Sequence, residues 1–480
     1  MHSVKIKNLN DDYTEIKEER IQLLKSNLRG EILFPSQESY DAERAIWNGM
    51  INKKPGLIIR CEGASDVIHS VRFAREHNLL ISVRGGGHNI SGNAVTDGGL
   101  MISLSKMKGI TVDPVRRTAT VQPGVRWGEV DKETQVFGLA APGGIVSSTG
   151  IAGYTLGGGF GWISRKYGFA ADNLISVDMV TAEGKFLTVN ESENADLFWG
   201  LRGAGSNFGI TTSFKFKLHP VGPNVVAGII FYDIKDAKSV FNFYRDFAKN
   251  SPDELTSLIV LRLAPPAPFL PKELHGKPVI GISLLYCGEI EEGKKIVEPL
   301  KKFGNPIIDL ITVKPYLAHQ AMFDAGQLTG NQYYWKSEYL PGVNDTCAEV
   351  LLNNLSKITS PLTGVLIFQL KGQIDKINHN ETAIGNRDAA FVININSCWE
   401  NPDESEKHIK WTRDFWKSVK PFSTGGVYVN FLADDDNERV KSAYKENYEK
   451  LVSLKKKYDP SNFFRLNQNI KPENNFTKTV

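Results

Sequence analysis

Cysteine is scarce in this chain. Four occur in 480 residues (Cys61, Cys287, Cys347 and Cys398), far apart and with no C-x-x-C pair. That spacing argues against a disulfide scaffold or a zinc ribbon and makes a reducing compartment the natural setting. The nine histidines show no H-E-x-x-H or H-x-H spacing, so no metal site is expected. Charge of one sign is also lacking: 57 basic against 54 acidic side chains leave a net +3, which gives a polyanion little to bind. Lys455-Lys456-Lys457 reads as a short exposed charge run on a helix, with no basic–aromatic stripe beside it. No stretch approaches the roughly 18 apolar residues of a membrane span. The N-terminus is polar, without the apolar core of a secretory signal. Sequons at Asn190, Asn344 and Asn380 are therefore read as chance. The expectation is a cytoplasmic chain, monomer or homodimer, with neither a membrane nor a nucleic-acid partner.

Glycine is what the chain has in excess: 43 residues, and clustered. Length allows two or three domains, and 41% hydrophobic with 23% charged residues is ordinary for globular proteins. The first 35 residues are charged and helix-prone. Residues 56–60 read as a strand, 64–78 as an amphipathic helix and 79–83 as a second strand running into Arg84-Gly85-Gly86-Gly87-His88, a βαβ-like unit. Short strands follow at 100–104, 109–112 and 118–121, then a helix near 127–136, then the densest glycine stretch, 143–161. Strands at 174–181, 185–189 and 209–218 close the block. Beyond residue 221, strand-like runs (225–232, 258–262, 279–286, 363–370, 390–396) alternate with amphipathic helices at 234–249 and 291–303. That pattern predicts an antiparallel sheet covered by helices. Residues 434–457 read as one charged helix, and 473–480 as a disordered tail.

The glycine clusters fit neither common nucleotide fingerprint. Residues 84–90 and 203–208 both fail G-x-G-x-x-G, and no G-x-x-x-x-G-K-[ST] is present. Turns and tight packing would account for one such cluster. Three within about 125 residues need a stronger reason, because glycine costs conformational entropy. Successive backbone amides forming an anion-binding nest are one. His88, directly after three glycines, is the sharpest single residue.

Five segments, in order, carry a resemblance. Arg84-Gly85-Gly86-Gly87-His88-Asn89-Ile90-Ser91-Gly92, preceded by Val83, resembles the flavin-attachment loop of the berberine-bridge-enzyme-like branch of the vanillyl-alcohol oxidase superfamily. The stretch 142–162 resembles that family's second flavin loop, with Pro142, Gly143, Gly144, Ser148, Thr149, Gly150, Gly153, Tyr154, Gly158, Gly159, Gly161 and Trp162 at its positions. Residues 165–173, ending at Asn173, follow at the family's spacing. Residues 197–210, ending Gly209-Ile210, are similar to the close of the flavin domain. Asn467 and Asn469, within 462–470, are similar to the C-terminal element that returns to it. The resemblance implies an α+β protein: a PCMH-type FAD-binding domain of two α/β subdomains over 36–218, a substrate domain with a helix-covered antiparallel sheet over 219–432, and a returning segment over 433–472, with 1–35 as a helical lead-in.

The resemblance also implies an FAD-dependent oxidase, with FAD joined to His88. Many members add a second link from a cysteine. Val146 stands at that position here, so a single histidyl link is expected. Hydride would pass from an alcohol or amine carbon of a small metabolite or sugar, with dioxygen reduced to hydrogen peroxide. A dehydrogenase using another acceptor, or a flavin binder of weak activity, remains the alternative. The strand 386–394 is similar to the one that supplies a Gln or Glu in the family, which places Asn394 at that position and Asn396 on the same face. An amide is no base, so both would bind substrate. Tyr428 is the better base candidate, although Phe431 stands where a second tyrosine is often found. Thr149, three residues after Val146, occupies the position that governs oxygen access.

Overall fold

A computed structural model describes residues 3–268 and 270–472; the tail expected at 473–480 lies outside the described residues. The first 35 residues depart from the helical expectation. Ser3–Lys7 and Tyr13–Lys17 pair as an antiparallel hairpin, and helix is confined to Glu18–Ser26. The turn explains it: the Asn8 side chain accepts the N–H groups of Asn10 and Asp12, a local bond that competes with helix. Ile6 and Ile16 then point inward at strand periodicity.

The βαβ reading holds. Leu57–Arg60 and Ile81–Arg84 flank Leu100–Ser103, both parallel to it, with the helix Ala64–Glu76 between them in sequence. Val67, Val71 and Ala74 form the helix's buried stripe, and the strand Leu57–Arg60 is apolar on both faces, as a covered parallel sheet requires. A second, antiparallel sheet runs in the order Phe186–Asn190, Leu174–Val180, Ile210–Lys217, Thr118–Val121, Ile110–Asp113.

The large sheet is antiparallel throughout. Its order is Ile308–Asp309, Asn224–Asp233, Pro278–Tyr286, Leu255–Leu263, Gly364–Gln369, Phe391–Trp399, Gln332–Leu340. Alternation gives it two apolar faces. Ile230, Tyr232, Ile259 and Leu261 pack under the helices Ala237–Asn250, Asp345–Leu355 and Ser405–Val419. Ile229, Phe231, Leu258 and Val260 face Phe160, Trp162 and Phe169 of the glycine-rich part. The strand Gln332–Leu340 escaped the sequence reading because its interior carries Lys336 and Glu338. Both are buried and paired, with Asp435 and Asp436 and with Arg439 respectively.

The C-terminal segment is not one helix. Val440–Tyr444 and Tyr448–Tyr458 are separated at Lys445, whose φ is +48°. The break follows from docking: Asn386 donates to the Ser442 and Ala443 carbonyls, and Asn447 donates to those of His379 and Thr382. Nor is Lys455 exposed. Its ammonium is fully buried, donating to Asp459 at 2.6 Å and to the carbonyls of Asn207 and Phe464 at 2.7 and 2.9 Å. A charge run in sequence is here one buried tether and two surface lysines.

Candidate active site

A cavity of about 940 Å³ is walled on one side by the glycine loops and on the other by the inner face of the large sheet, a size suited to a cofactor together with a small molecule. The first loop leaves the C-terminal end of the parallel strand Ile81–Arg84 and lines the cavity with Val83, Gly85, Gly86, Gly87, His88 and Asn89. Gly87 has φ +71°, a conformation that favours glycine. Arg84 stands behind this wall, bonded to Glu43 at 2.9 Å. Ser91 bonds Asn89 and Gly92 accepts from Lys53, so they brace the loop rather than line it.

The His88 ring stacks on Trp47, with centroids 4.7 Å apart, and Nε2 lies 2.8 Å from the Ser148 hydroxyl. Burial, assisted by the Arg126 cation, holds its pKa down to about 3, so the imidazole is neutral at physiological pH. The histidine is thereby fixed by two partners, and Trp47 is a contributor that no motif marks.

The second loop brings Gly144, Val146, Thr149, Gly150, Gly153 and Tyr154 to the cavity, the last two on the short helix Ile151–Leu156. Its Ser147 is clamped by Asp324, which accepts from the backbone N–H at 2.8 Å and from the hydroxyl. Pro142, Gly143, Gly158, Gly159, Gly161 and Trp162 form a second row. The Pro142 carbonyl accepts from Tyr154, Gly161 packs flush on Gly143, and Trp162 packs on His319. Asn173 is a brace too, donating to the Tyr167 and Phe169 carbonyls. Beneath the loop, Asp131 accepts from Gln320 at 3.0 Å. Burial pushes its carboxyl up to about 7.

Gly209 and Ile210 line the cavity, and from the returning segment so do Asn467 and Gln468. Asn467 donates to the Ser206 carbonyl at 2.8 Å; its Oδ1 and that of Asn469 are buried without a protein partner.

The sheet wall is ordered by register. Arg262, Gly364, Asn396 and Trp335 stand opposite one another on successive strands, and Val260, Leu366, Asn394 and Ser337 form the next row. Asn394 and Asn396 therefore share the cavity face, as period-two alternation requires. The Asn396 carbonyl accepts from Trp335 Nε1 at 2.7 Å, while Asn394 Oδ1 is buried without a partner. Arg262 and Trp335 were not singled out from sequence. For Arg262 the signal existed: it continues the alternation of Leu258 and Val260, which face the same side.

Tyr428 also lines the cavity. Its oxygen accepts from Gly159 N–H and from the Asn430 amide, each at 2.9 Å, and its ring packs against Phe160 and Phe431. Burial raises the phenol above its ordinary value, and the two hydrogen bonds oppose that rise. Val146 is a wall residue, and none of the four cysteines, all free and buried, lines the cavity among the described residues.

These residues fit FAD. A wall nearly free of side chains admits a flat ring system, consecutive backbone amides suit a pyrophosphate, and the unpartnered asparagine oxygens are acceptors awaiting donors. Comparison with known proteins agrees. The family described as FAD binding domain matches residues 55–190, and Berberine and berberine like matches 427–471. An FAD-linked oxidoreductase of Dictyostelium discoideum is 33% identical over 89% of this chain and 91% of its own length. (R)-6-hydroxynicotine oxidase of Paenarthrobacter nicotinovorans is 31% identical over 93% and 98%. The crystal structure of 6-hydroxy-D-nicotine oxidase from Arthrobacter nicotinovorans superposes with a TM-score of 0.84 at 29% identity, covering 93% of this chain and 98% of that one.

Fold and site together define an FAD-linked oxidoreductase with the PCMH-type FAD-binding fold. Within that class the chain belongs to the berberine-bridge-enzyme-like family.

Proposed function

We propose that the protein is an oxidase that takes hydride from a carbon bearing an alcohol or amine group on a small metabolite or sugar and delivers the electrons to dioxygen, giving hydrogen peroxide. The observation that carries this reading is one cavity with two unlike walls: glycine backbone with a neutral histidine on one side, and on the other a sheet offering the unpartnered Asn394 Oδ1. FAD bound at the glycine wall supplies the hydride acceptor and the reaction with oxygen. A relative named for oxidising (R)-6-hydroxynicotine supports a hydroxylated or nitrogenous substrate.

The chain's own residues then divide the work. His88, neutral and oriented by Ser148 and Trp47, is the single covalent anchor, since Val146 and the absence of a cavity cysteine leave no thiol for a second. Asn394 Oδ1 accepts a hydrogen bond from the substrate's O–H or N–H, and Asn396, held by Trp335, shapes the same face. Tyr428 receives the substrate proton; burial disfavours the phenolate that step requires, and the two donors on its oxygen offset part of that cost. Thr149, small and at the wall, leaves oxygen a way in. Four reduced, buried cysteines suit the cytoplasm.

The test is anaerobic. Alcohols, aldoses and cyclic amines are mixed with the yellow protein and flavin absorbance is followed, and air is then admitted while peroxide is measured. Bleaching followed by rapid recovery with one peroxide per flavin is expected. Bleaching without recovery in air makes the protein a dehydrogenase, and no bleaching by any class removes the reading.

A further inference from the structure

The cavity holds a single permanent charge. Among the described residues that line it there is no Asp, Glu or Lys, and Arg262 is the one arginine. Arg262 lies near the end of the strand Leu255–Leu263, on the sheet wall opposite the glycine loops. Its Nε donates to the Leu263 carbonyl at 3.2 Å. No carboxylate among the described residues is paired with it, and burial lowers its pKa. Asp233, in the same register row two strands away, lies 3.6 Å from Lys235 and serves it instead.

A half-buried guanidinium that lines a cavity with no carboxylate beside it is a ready partner for an anion. The neighbouring geometry leaves room for one. Gly364 stands directly across from Arg262, and a Cβ placed on it would touch nothing within 4 Å. Asn396 stands on the far side of Gly364. The floor between a planar five-donor fork and an amide is therefore open.

We propose that the substrate is a carboxylate: the alcohol or amine oxidised here carries a carboxyl group that docks on Arg262 above Gly364. This rests on the proposed reading that the sheet faces the substrate. A single guanidinium matches the two oxygens of a carboxylate. A phosphate dianion would call for further cations, and the described lining offers no second arginine and no lysine. The backbone amides of the opposite wall would hold the diphosphate of FAD.

The test measures binding as well as turnover. The FAD-loaded protein is titrated calorimetrically with matched probes: benzyl alcohol and para-hydroxymethylbenzoate, benzylamine and para-aminomethylbenzoate, glucose and glucuronate. At least one carboxylated member should bind about tenfold to a hundredfold tighter than its uncarboxylated partner, the range of a hydrogen-bonded charge. Arg262→Gln should abolish that preference and Arg262→Lys keep part of it, with benzyl alcohol and glucose unaffected and thermal melts confirming folding. If every pair binds alike, including not at all, the proposal is overturned on the wild-type protein, whatever the variants do. It is overturned equally if the preference survives in Arg262→Gln, or if that variant shifts the flavin potential and leaves the preference intact, which would assign Arg262 to the cofactor. Flavin bleaching by neutral alcohols or amines in the same preparation judges the oxidoreductase reading separately.

Discussion

Gly86 and Gly150 meet backbone to backbone. A Cβ on Gly150 would stand 2.5 Å from the Gly86 Cα, and one on Gly86 would lie 2.7 Å from the Gly150 nitrogen. The two glycine loops, more than sixty residues apart in sequence, thus form one continuous wall, and His88 reaches Ser148 across that seam.

Gly86→Ala should part the wall. No flexible side chain can yield there, so the cost is expected at about 3 kcal/mol, the upper range for overpacking. Gly150→Ala should do the same, and both should lose FAD uptake. Gly153→Ala, whose Cβ would meet nothing within 4 Å, is the control and should keep the fold. Flavin content after purification and urea unfolding midpoints check all three.

Acid precipitation of the wild-type protein should leave yellow colour in the pellet. His88→Ala should fold and bind FAD but release it into the acid supernatant. Ser148→Ala, which removes the bond to Nε2, should slow attachment without preventing it. Free FAD from the wild type would end the single-link assignment.

Tyr428→Phe should keep its flavin and lose about a hundredfold or more in the reductive half-reaction, the usual scale of general-base catalysis. Because burial raises the phenol, the wild-type rate should climb with pH on the alkaline side, and the variant's profile should be flat there. Stopped-flow reduction across pH distinguishes this from a packing role, in which the rate would fall without a change of profile.

Asp131 carries a pH signature in stability. Its carboxyl titrates at about 7 in the folded protein against an ordinary 3.8. The folded state therefore holds a proton that the unfolded chain has already released between those values. Its stabilising contribution is complete below about 4 and lost as pH rises through 7. Asp131→Asn cannot ionise and can still accept from Gln320. Its melting temperature should match wild type near pH 4 and exceed it increasingly up to pH 8.

Much of this was legible because strand and helix periodicity are local. Ala64–Glu76 announced its buried stripe, and Asn394 and Asn396 declared a shared face through a spacing of two. The failures have a common cause. The strand Gln332–Leu340 hid behind Lys336 and Glu338, whose partners are a hundred residues on. Lys455 looked like surface charge because its acceptors, Asn207 and Phe464, are not its sequence neighbours, although Asp459 is one turn away. The N-terminal hairpin turned on one asparagine side chain that propensity alone does not weigh.

The residues and their spacing were enough to single out the glycine clusters and the histidine that follows one of them, since backbone freedom and an imidazole are properties of single positions; the significance of Val146 came only from the family resemblance. They could not say which glycines touch a ligand and which brace those that do, nor that Trp47 stacks on His88. They could not show that one cavity contains a lone guanidinium, because solitude is a relation among residues on five or more separate elements. Only chain packing brings those elements together; burial there makes the imidazole neutral and the phenol weak, and the same packing sets Arg262 on the cavity wall with no carboxylate among the described residues paired with it.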